Sequence, residues 1–494
     1  MTKNNKNLFS TYFFMMGLVF SPLSAFASYA EPSLDQFIEM VMKERNIPGL
    51  QLAVVKGNKV VKQASYGMAD LQHNVPVTDK TLFAINSMTK AFTGVAILQL
   101  VDQGVIKLDD KIGLHLPSLP LKWHELTIKQ LMAHTTGLPE ILASTSSLEL
   151  IVPGNIDASW QAVQERPFLF NPNSRFSYNQ TGYIVLGKLI ERYIPEGFTR
   201  FITDFQLKPV GMKQTAQAGF SNLELVIPNQ SRQYIYLESG EYKNFYGEFA
   251  HMLRTAAGMS STALELADYI IALQSGQLIK EVEQLWQPVK LNNNRTEGFN
   301  NKENGYAMGW QVGQRKYHPS ISASGANAST LITYPEDDVS VIVLTNLLGA
   351  LPITFVDDIA AYYIPNFNHP DKVSSYRPME YLDKLTTENG FGEFAKTFKK
   401  AEQDTGVTFD IDIIAEWGFE LLAAQRVEDA IEIFQFSISN NDPHSFYYFG
   451  LAKAYDMQER YSDALKNYEA VVRLNPNAQM SQQRVAALKA QLKL

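Results

Sequence analysis

Helical spacing of apolar residues over Leu34 to Met42 gives way to two alternating runs, Gln51 to Val55 and Val60 to Tyr66, around Lys56-Gly57-Asn58-Lys59. Gly-Asn between two such runs predicts a β-hairpin. From Met88 to Gln103 the apolar residues Met88, Phe92, Val95, Ile97, Leu98, Leu100 and Val101 return to helical spacing, and Gly104 predicts the stop. The stretch from Leu108 to Asn179 is rich in Pro and short helical patterns, which predicts a helical subdomain. Beyond Gly305 the period-two runs return: Tyr306 to Val312, then Ser329 to Tyr334 and Ser340 to Asn346 around Pro335-Glu336-Asp337-Asp338. Strands early, helices in the middle and strands late predict one domain that draws its sheet from both ends and closes near Ile364.

Residues 367–408 are more polar, carry Pro370 and Pro378, and predict a linker with one helix. From 409 to 494 the chain repeats itself at an offset of 34 residues: Ala430 matches Ala464, Trp417 matches Leu451, Gly418 matches Ala452, Leu421 matches Tyr455 and Phe434 matches Tyr468. Small residues at helix crossings, large ones between them, and Pro443 or Pro476 after each second helix resemble tetratricopeptide repeats. Met480 to Leu494 predicts a capping helix. Packing, dimerisation and the binding of a peptide or protein partner all stay open as roles for this region.

Composition removes several chemistries. With Cys 0, no disulfide scaffold, cysteine nucleophile, iron–sulfur centre or cysteine zinc site can form. A formal charge of -8, from 51 acidic and 43 basic residues, predicts no nucleic-acid partner. At the N-terminus Lys3 and Lys6 precede an apolar run from Leu8 to Phe20, then Pro22 and Ala25-Phe26-Ala27. This pattern predicts a signal peptide over 1–27, cut after Ala27, because the run is shorter than the ~20 residues of a spanning helix. A first mature domain over 28–366, periplasmic or secreted and without a transmembrane anchor after cleavage, is the expectation.

The chemistry centres on Ser87-Met88-Thr89-Lys90, which puts a lysine one helical turn from a serine on the same face. A serine hydroxyl needs a base, and a lysine kept neutral by burial can serve. The segment Phe83-Ala84-Ile85-Asn86-Ser87-Met88-Thr89-Lys90-Ala91-Phe92 closely resembles the nucleophile helix of the serine β-lactamase-related family, which includes class C β-lactamases, D-alanyl-D-alanine carboxypeptidases and certain esterases. So do Leu131-Met132-Ala133-His134-Thr135-Thr136-Gly137-Leu138-Pro139, Ala257-Gly258-Met259-Ser260-Ser261-Thr262 and Tyr306-Ala307-Met308-Gly309-Trp310, in consistent order over about residues 31–364.

The resemblance implies an α/β fold: a β-lactamase and penicillin-binding-protein-like antiparallel sheet flanked by helices with a helical subdomain, followed by the all-α repeat region. It implies a serine hydrolase in which Lys90 and Tyr178 activate Ser87 for attack on an amide or ester. The backbone N–H groups of Ser87 and Ala326 would hold the oxyanion. Tyr178-Asn179-Gln180 occupies the place of the family's Y-x-N motif, with Gln180 for the usual Asn as a substrate or Lys90 contact, and Asn179 as the alternative. Ala323-Ser324-Gly325 stands where the family has K-T-G or H-x-G. The missing cation at Ala323 is expected to weaken recognition of β-lactams and D-alanine C-termini and to raise the Tyr178 pKa, while Ser324 and Gly325 still line the substrate site. Lys316 and His318 fall outside this register and are expected on the surface. His134 is expected to be packed or hydrogen-bonded rather than a base. No metal or nucleotide motif occurs, so no cofactor is expected. A non-catalytic protein that binds peptide or cell-wall fragments, with the repeats recruiting a partner, is the competing reading.

Overall fold

The computed structural model describes residues 33–493 except 142–155, 221–223, 247–249, 368–375, 406–408, 476–477 and the single positions 238, 301, 366, 410, 424 and 442. The signal-peptide expectation at 1–27 therefore lies outside the described residues. Strands β1 (Gly49–Lys56) and β2 (Lys59–Asp70) form the expected hairpin, with Gly57 and Asn58 both at positive φ (57° and 55°) at its tip. The other strands of the main sheet are β3 (Val75–Pro76), β4 (Gly305–Tyr306), β5 (Gln311–Gly313), β6 (Ser320–Gly325), β7 (Ser329–Tyr334) and β8 (Val339–Thr345), and this sheet runs β3-β2-β1-β8-β7-β6-β5-β4. Antiparallel pairing of β1 with β8, from Leu50↔Thr345 to Lys56↔Val339, joins the two ends of the domain.

Period-two alternation decides which side chains meet which layer. Leu50, Leu52 and Val54 pack with Phe37, Ile38 and Val41 of helix α1 (Leu34–Glu44) on one face, and Ala53 and Val55 enter the larger core on the other. That larger core holds helix α2 (Thr89–Asp102), helix α3 (Thr181–Tyr193) and helix α4 (Ala263–Gln274). Every residue of α2 from Thr89 to Leu100 is buried, so its polar members need partners inside the protein. Thr93 Oγ1 donates to the Thr255 carbonyl (2.6 Å), and Gln99 Nε2 donates to the carbonyls of Phe205 and Leu278 (both 3.1 Å).

Two expectations are corrected. Tyr306 to Val312 is not one strand: Gly309, at φ 89°, turns the chain so that β4 and β5 form a tight hairpin closed by Ala307 N–H on the Trp310 carbonyl (2.8 Å). Nor does 367–408 hold a single helix: it folds as α5 (Tyr376–Asn389) and α6 (Phe394–Thr405), joined by a 3₁₀ turn at Phe391–Glu393. Its polar average hides an apolar face, Leu382, Phe391, Phe394 and Phe398, which packs into the core of the helical region. There α7 (Ile411–Ala423), α8 (Val427–Asn440), α9 (Ser445–Met457), α10 (Tyr461–Leu474) and α11 (Gln479–Leu492) follow. α7 and α9 start 34 residues apart, as do α8 and α10. Phe434 explains the small residues: a Cβ on Gly418 or Gly450 would fall 2.8 or 2.2 Å from its ring.

The closest internal approach of α2 gives a stability test. A Cβ on Gly94 would lie 2.0 Å from the Met308 carbonyl oxygen, a backbone atom that cannot swing aside, whereas one on Gly392 would meet nothing within 4 Å. Gly94→Ala should destabilise the protein by about 1–3 kcal/mol and lower the thermal midpoint, with Gly392→Ala near neutral. Equal midpoints for the two variants would show that α2 is not seated against the β4–β5 hairpin in this way.

Candidate active site

Ser87 lies in a 3₁₀ turn, Asn86–Met88, that leads into α2. Asn86 takes a left-handed conformation (φ 46°) while 5% exposed, a strained entry that Asn tolerates better than most residues. Several bonds hold this turn. Ile85 N–H donates to the Met259 carbonyl (2.9 Å), Thr89 Oγ1 donates to the Asn86 carbonyl (2.6 Å), and Phe83-Ala84 pairs with Ser260-Ser261. The Ala257 to Thr262 segment thus clamps the Ser87 turn, and Thr262 goes on to cap α4 through Glu265 N–H (3.1 Å).

Lys90 is 1% exposed, and its ammonium donates to Gln180 Oε1 (2.8 Å) and to the Ala256 carbonyl (3.0 Å). It also stands 4.7 Å from the centre of the Tyr178 ring and 5.1 Å from that of Tyr183. Burial pulls its pKa down to about 7, with Glu140 resisting the shift. The Tyr178 phenol is pushed above its ordinary value by burial, while hydrogen bonding with Ser87 and Gln180 opposes this. Near neutral pH the site therefore holds a lysine close to half neutral and a protonated tyrosine in contact with the serine.

The adjacent amides divide their work. Asn179 is buried in the scaffold: its N–H donates to His134 Nδ1 (3.1 Å), its Nδ2 to the Leu138 carbonyl (2.9 Å), and its Oδ1 accepts Gly182 N–H (2.9 Å). Gln180 is left to meet Lys90 with its side chain, while its backbone N–H donates to Glu140 Oε2 (2.9 Å). His134 is 2% exposed, sits at φ 58°, and packs its ring against Tyr178 (4.4 Å), Tyr306 (4.8 Å) and Tyr183 (5.1 Å). Burial first and Lys90 second hold it well below its usual pKa, so it is neutral, with Nδ1 the acceptor.

On the opposite wall β6 ends at Gly325, where a Cβ would lie 2.0 Å from the Ile85 carbonyl oxygen; only glycine lets the strand approach the Ser87 turn this closely. Ala326 and Asn327 follow in left-handed conformation (φ 49° and 51°) as the β6–β7 turn. Neither Ser87 N–H nor Ala326 N–H has an acceptor among the described residues, and both residues line one cavity of about 720 Å³. Ser324 lines it too, its hydroxyl 3.1 Å from Thr330 Oγ1. Ala323 is 4% exposed and belongs to the main hydrophobic core, opposite Leu331.

Lys316 is exposed with its amine over the Tyr317 ring, but His318 departs from the surface expectation. It is partly buried, bonded through Nδ1 to Asp337 (2.7 Å) and stacked on Phe367 (4.6 Å). Sequence reasoning missed Phe299, Glu303, Glu416, Phe419, Glu420 and Phe446, which also line the cavity; four of them come from the helical region. None carries a local motif.

Comparison with known proteins agrees with this architecture. The family model described as Beta-lactamase matches residues 34–362, and the Tetratricopeptide repeat model matches 445–478. Protein flp of Staphylococcus aureus (strain MW2) is 28% identical over 325 residues, which cover 64% of this chain and 63% of that protein. Penicillin-binding protein 4* of Bacillus subtilis (strain 168) is 26% identical over 292 residues, 56% of this chain and 62% of that protein. The matched region thus spans less than two thirds of either relative. Among solved structures, the octameric penicillin-binding protein homologue from Pyrococcus abyssi superposes with a TM-score of 0.60 at 23% identity, covering 71% of this chain and 81% of that one. A family match over about two thirds of the chain, on a fold that brings Ser87 and Tyr178 to one cavity with Lys90 buried against the Tyr178 ring, establishes that this chain belongs to the beta-lactamase family.

Proposed function

We propose that this chain is an exported serine hydrolase that cleaves an amide or ester, of peptide, peptidoglycan or small-molecule type, through an acyl-enzyme on Ser87. The observation that carries the reading is the buried Lys90, its pKa near 7, one turn from a serine whose hydroxyl meets the Tyr178 phenol. Neutral Lys90 takes the Ser87 proton as Oγ attacks the substrate carbonyl. Ser87 and Ala326 N–H groups hold the oxyanion, already without competing acceptors. The Tyr178 phenol gives its proton to the leaving group; in deacylation the phenolate takes a proton from the attacking water, and Lys90 returns its proton to Ser87 Oγ as the acyl–oxygen bond breaks and the acid departs. Export rests on the leader pattern over 1–27 and places the reaction in the periplasm or outside the cell. The core position of Ala323 favours a second reading, a binding protein of the same fold without turnover.

A fluorophosphonate separates the two readings. Intact-mass measurement should show one adduct, which peptide mapping places on Ser87 and Ser87→Ala abolishes. An unlabelled wild-type protein favours the binding reading, and a label elsewhere removes Ser87 as nucleophile. Tyr178→Phe should lower kcat/KM for a small ester by about 100- to 10,000-fold.

Lysine burial adds a pH signature. Since the base must be neutral, kcat/KM should rise as pH passes through about 7. Stability carries the matching sign: the folded pKa lies below the unfolded one, so the burden of a charged Lys90 is fully present below pH 7 and is relieved as pH climbs toward 10.5. Relative to Lys90→Met, the wild-type protein should therefore gain stability over that interval in urea titrations. A flat difference would contradict the lowered pKa.

A further inference from the structure

The cavity that holds Ser87 has a wall that the catalytic domain does not supply. Glu416, Phe419 and Glu420 of α7 and Phe446 of α9 face it, so the helical region closes one side of the cleft. Phe419 and Phe446 pack together with ring centres 4.6 Å apart. From the catalytic domain Phe299 completes an aromatic surface, its ring 5.2 Å from that of Tyr178. The charge of the lining is one-sided: three carboxylates, Glu303, Glu416 and Glu420, with no Lys, Arg or His.

These carboxylates are not equivalent. Glu420 is committed to Arg45, the residue that ends α1 (3.3 Å), and Glu303 Oε2 accepts from Asn300 Nδ2 (2.7 Å) with only 7% of the residue exposed. Glu416 makes no hydrogen bond or ion pair with the described residues. Burial, with Glu303 and Glu420 nearby, lifts its pKa to about 7 against the pull of Lys302. Aromatic faces beside an unpaired carboxylate are the chemistry that recognises an ammonium group. An anionic group there would meet like charge in a partly desolvated site.

Building on the acyl-enzyme reading, we infer that the helical region is a specificity wall of the catalytic cleft, in which Glu416, Phe419 and Phe446 select substrates bearing an ammonium group and reject carboxylates. The family's cation on the third-motif strand would serve the opposite selection, and here that position is the core residue Ala323. The two features act together: one removes attraction for an anion, the other adds attraction for a cation. The helical repeats then need no separate partner to matter for catalysis.

The full chain should be assayed at pH 8 with matched esters: 4-nitrophenyl 6-aminohexanoate, 4-nitrophenyl heptanoate and 4-nitrophenyl hydrogen adipate for the acyl side, and 2-aminoethyl against propyl hexanoate for the leaving group. Wild-type protein should prefer the ammonium member in at least one series and hydrolyse the adipate worst. Glu416→Gln should reduce the cationic-to-neutral ratio of kcat/KM by about ten- to a hundredfold, the scale of a charged hydrogen bond. Phe446→Leu, which keeps bulk but removes the ring, should reduce the same ratio by a smaller factor. Fluorophosphonate labelling of Ser87 is read in parallel. Normal labelling with no cationic preference, or with a ratio unmoved by Glu416→Gln, overturns this inference and leaves the hydrolase standing; absence of labelling removes the hydrolase reading itself.

Discussion

An amine with no access to water is the constraint around which the sheet-bearing domain is arranged. Lys90 sits on a helix buried on every side, and its neighbours must supply acceptors without a carboxylate close enough to keep it fully charged. Gln180 and the Ala256 carbonyl meet that need with neutral dipoles, and Glu140 acts at one remove, through the Gln180 backbone. The packing of α2, the turn at Asn86 and the clamp from Ala257 to Thr262 all serve the same end, since a looser helix would admit water and restore the ordinary lysine pKa.

The parts legible in the sequence were those written in local spacing. Ser87 and Lys90 share a helix face because of a three-residue step, the β1–β2 turn follows from Gly57-Asn58, and the 34-residue offset reappears in the helix starts. Tyr178 stands apart from Ser87 in sequence, and the family resemblance placed it beside Ser87. What escaped has a different physical origin. The helices at 376–405 hide a sparse apolar face inside a polar average, and the break at Gly309 depends on the closeness of the Lys90 carbonyl, 2.4 Å from where a Cβ would sit. Glu416, Phe419 and Phe446 acquire meaning only when the helical region docks against residues more than a hundred positions earlier.

That docking is secured in part by one arginine. Arg45 donates to the Ala350 carbonyl (3.2 Å) and to Thr354 Oγ1 (2.7 Å), lies over the Phe355 ring, and meets Glu420 (3.3 Å). It joins the end of α1, the segment after β8 and the helical region at one point. Leu351, Ile353 and Thr354 of that segment also line the cleft, so the stretch that Arg45 holds in place lies between the cavity and the helical region.

The pairing of β1 with β8 has a consequence for how the molecule comes into being. Leu50 and Thr345 are neighbours in the sheet but are separated by most of the domain in sequence, so the loop they close is long and its entropy is lost late. While the chain is still emerging, Ser87 and Lys90 exist without the turn that carries Ala326 and without the helices that carry Phe419 and Phe446. Ser87 and Lys90 are made early and the residues that surround them last, so the cavity is completed only as one of the final acts of folding.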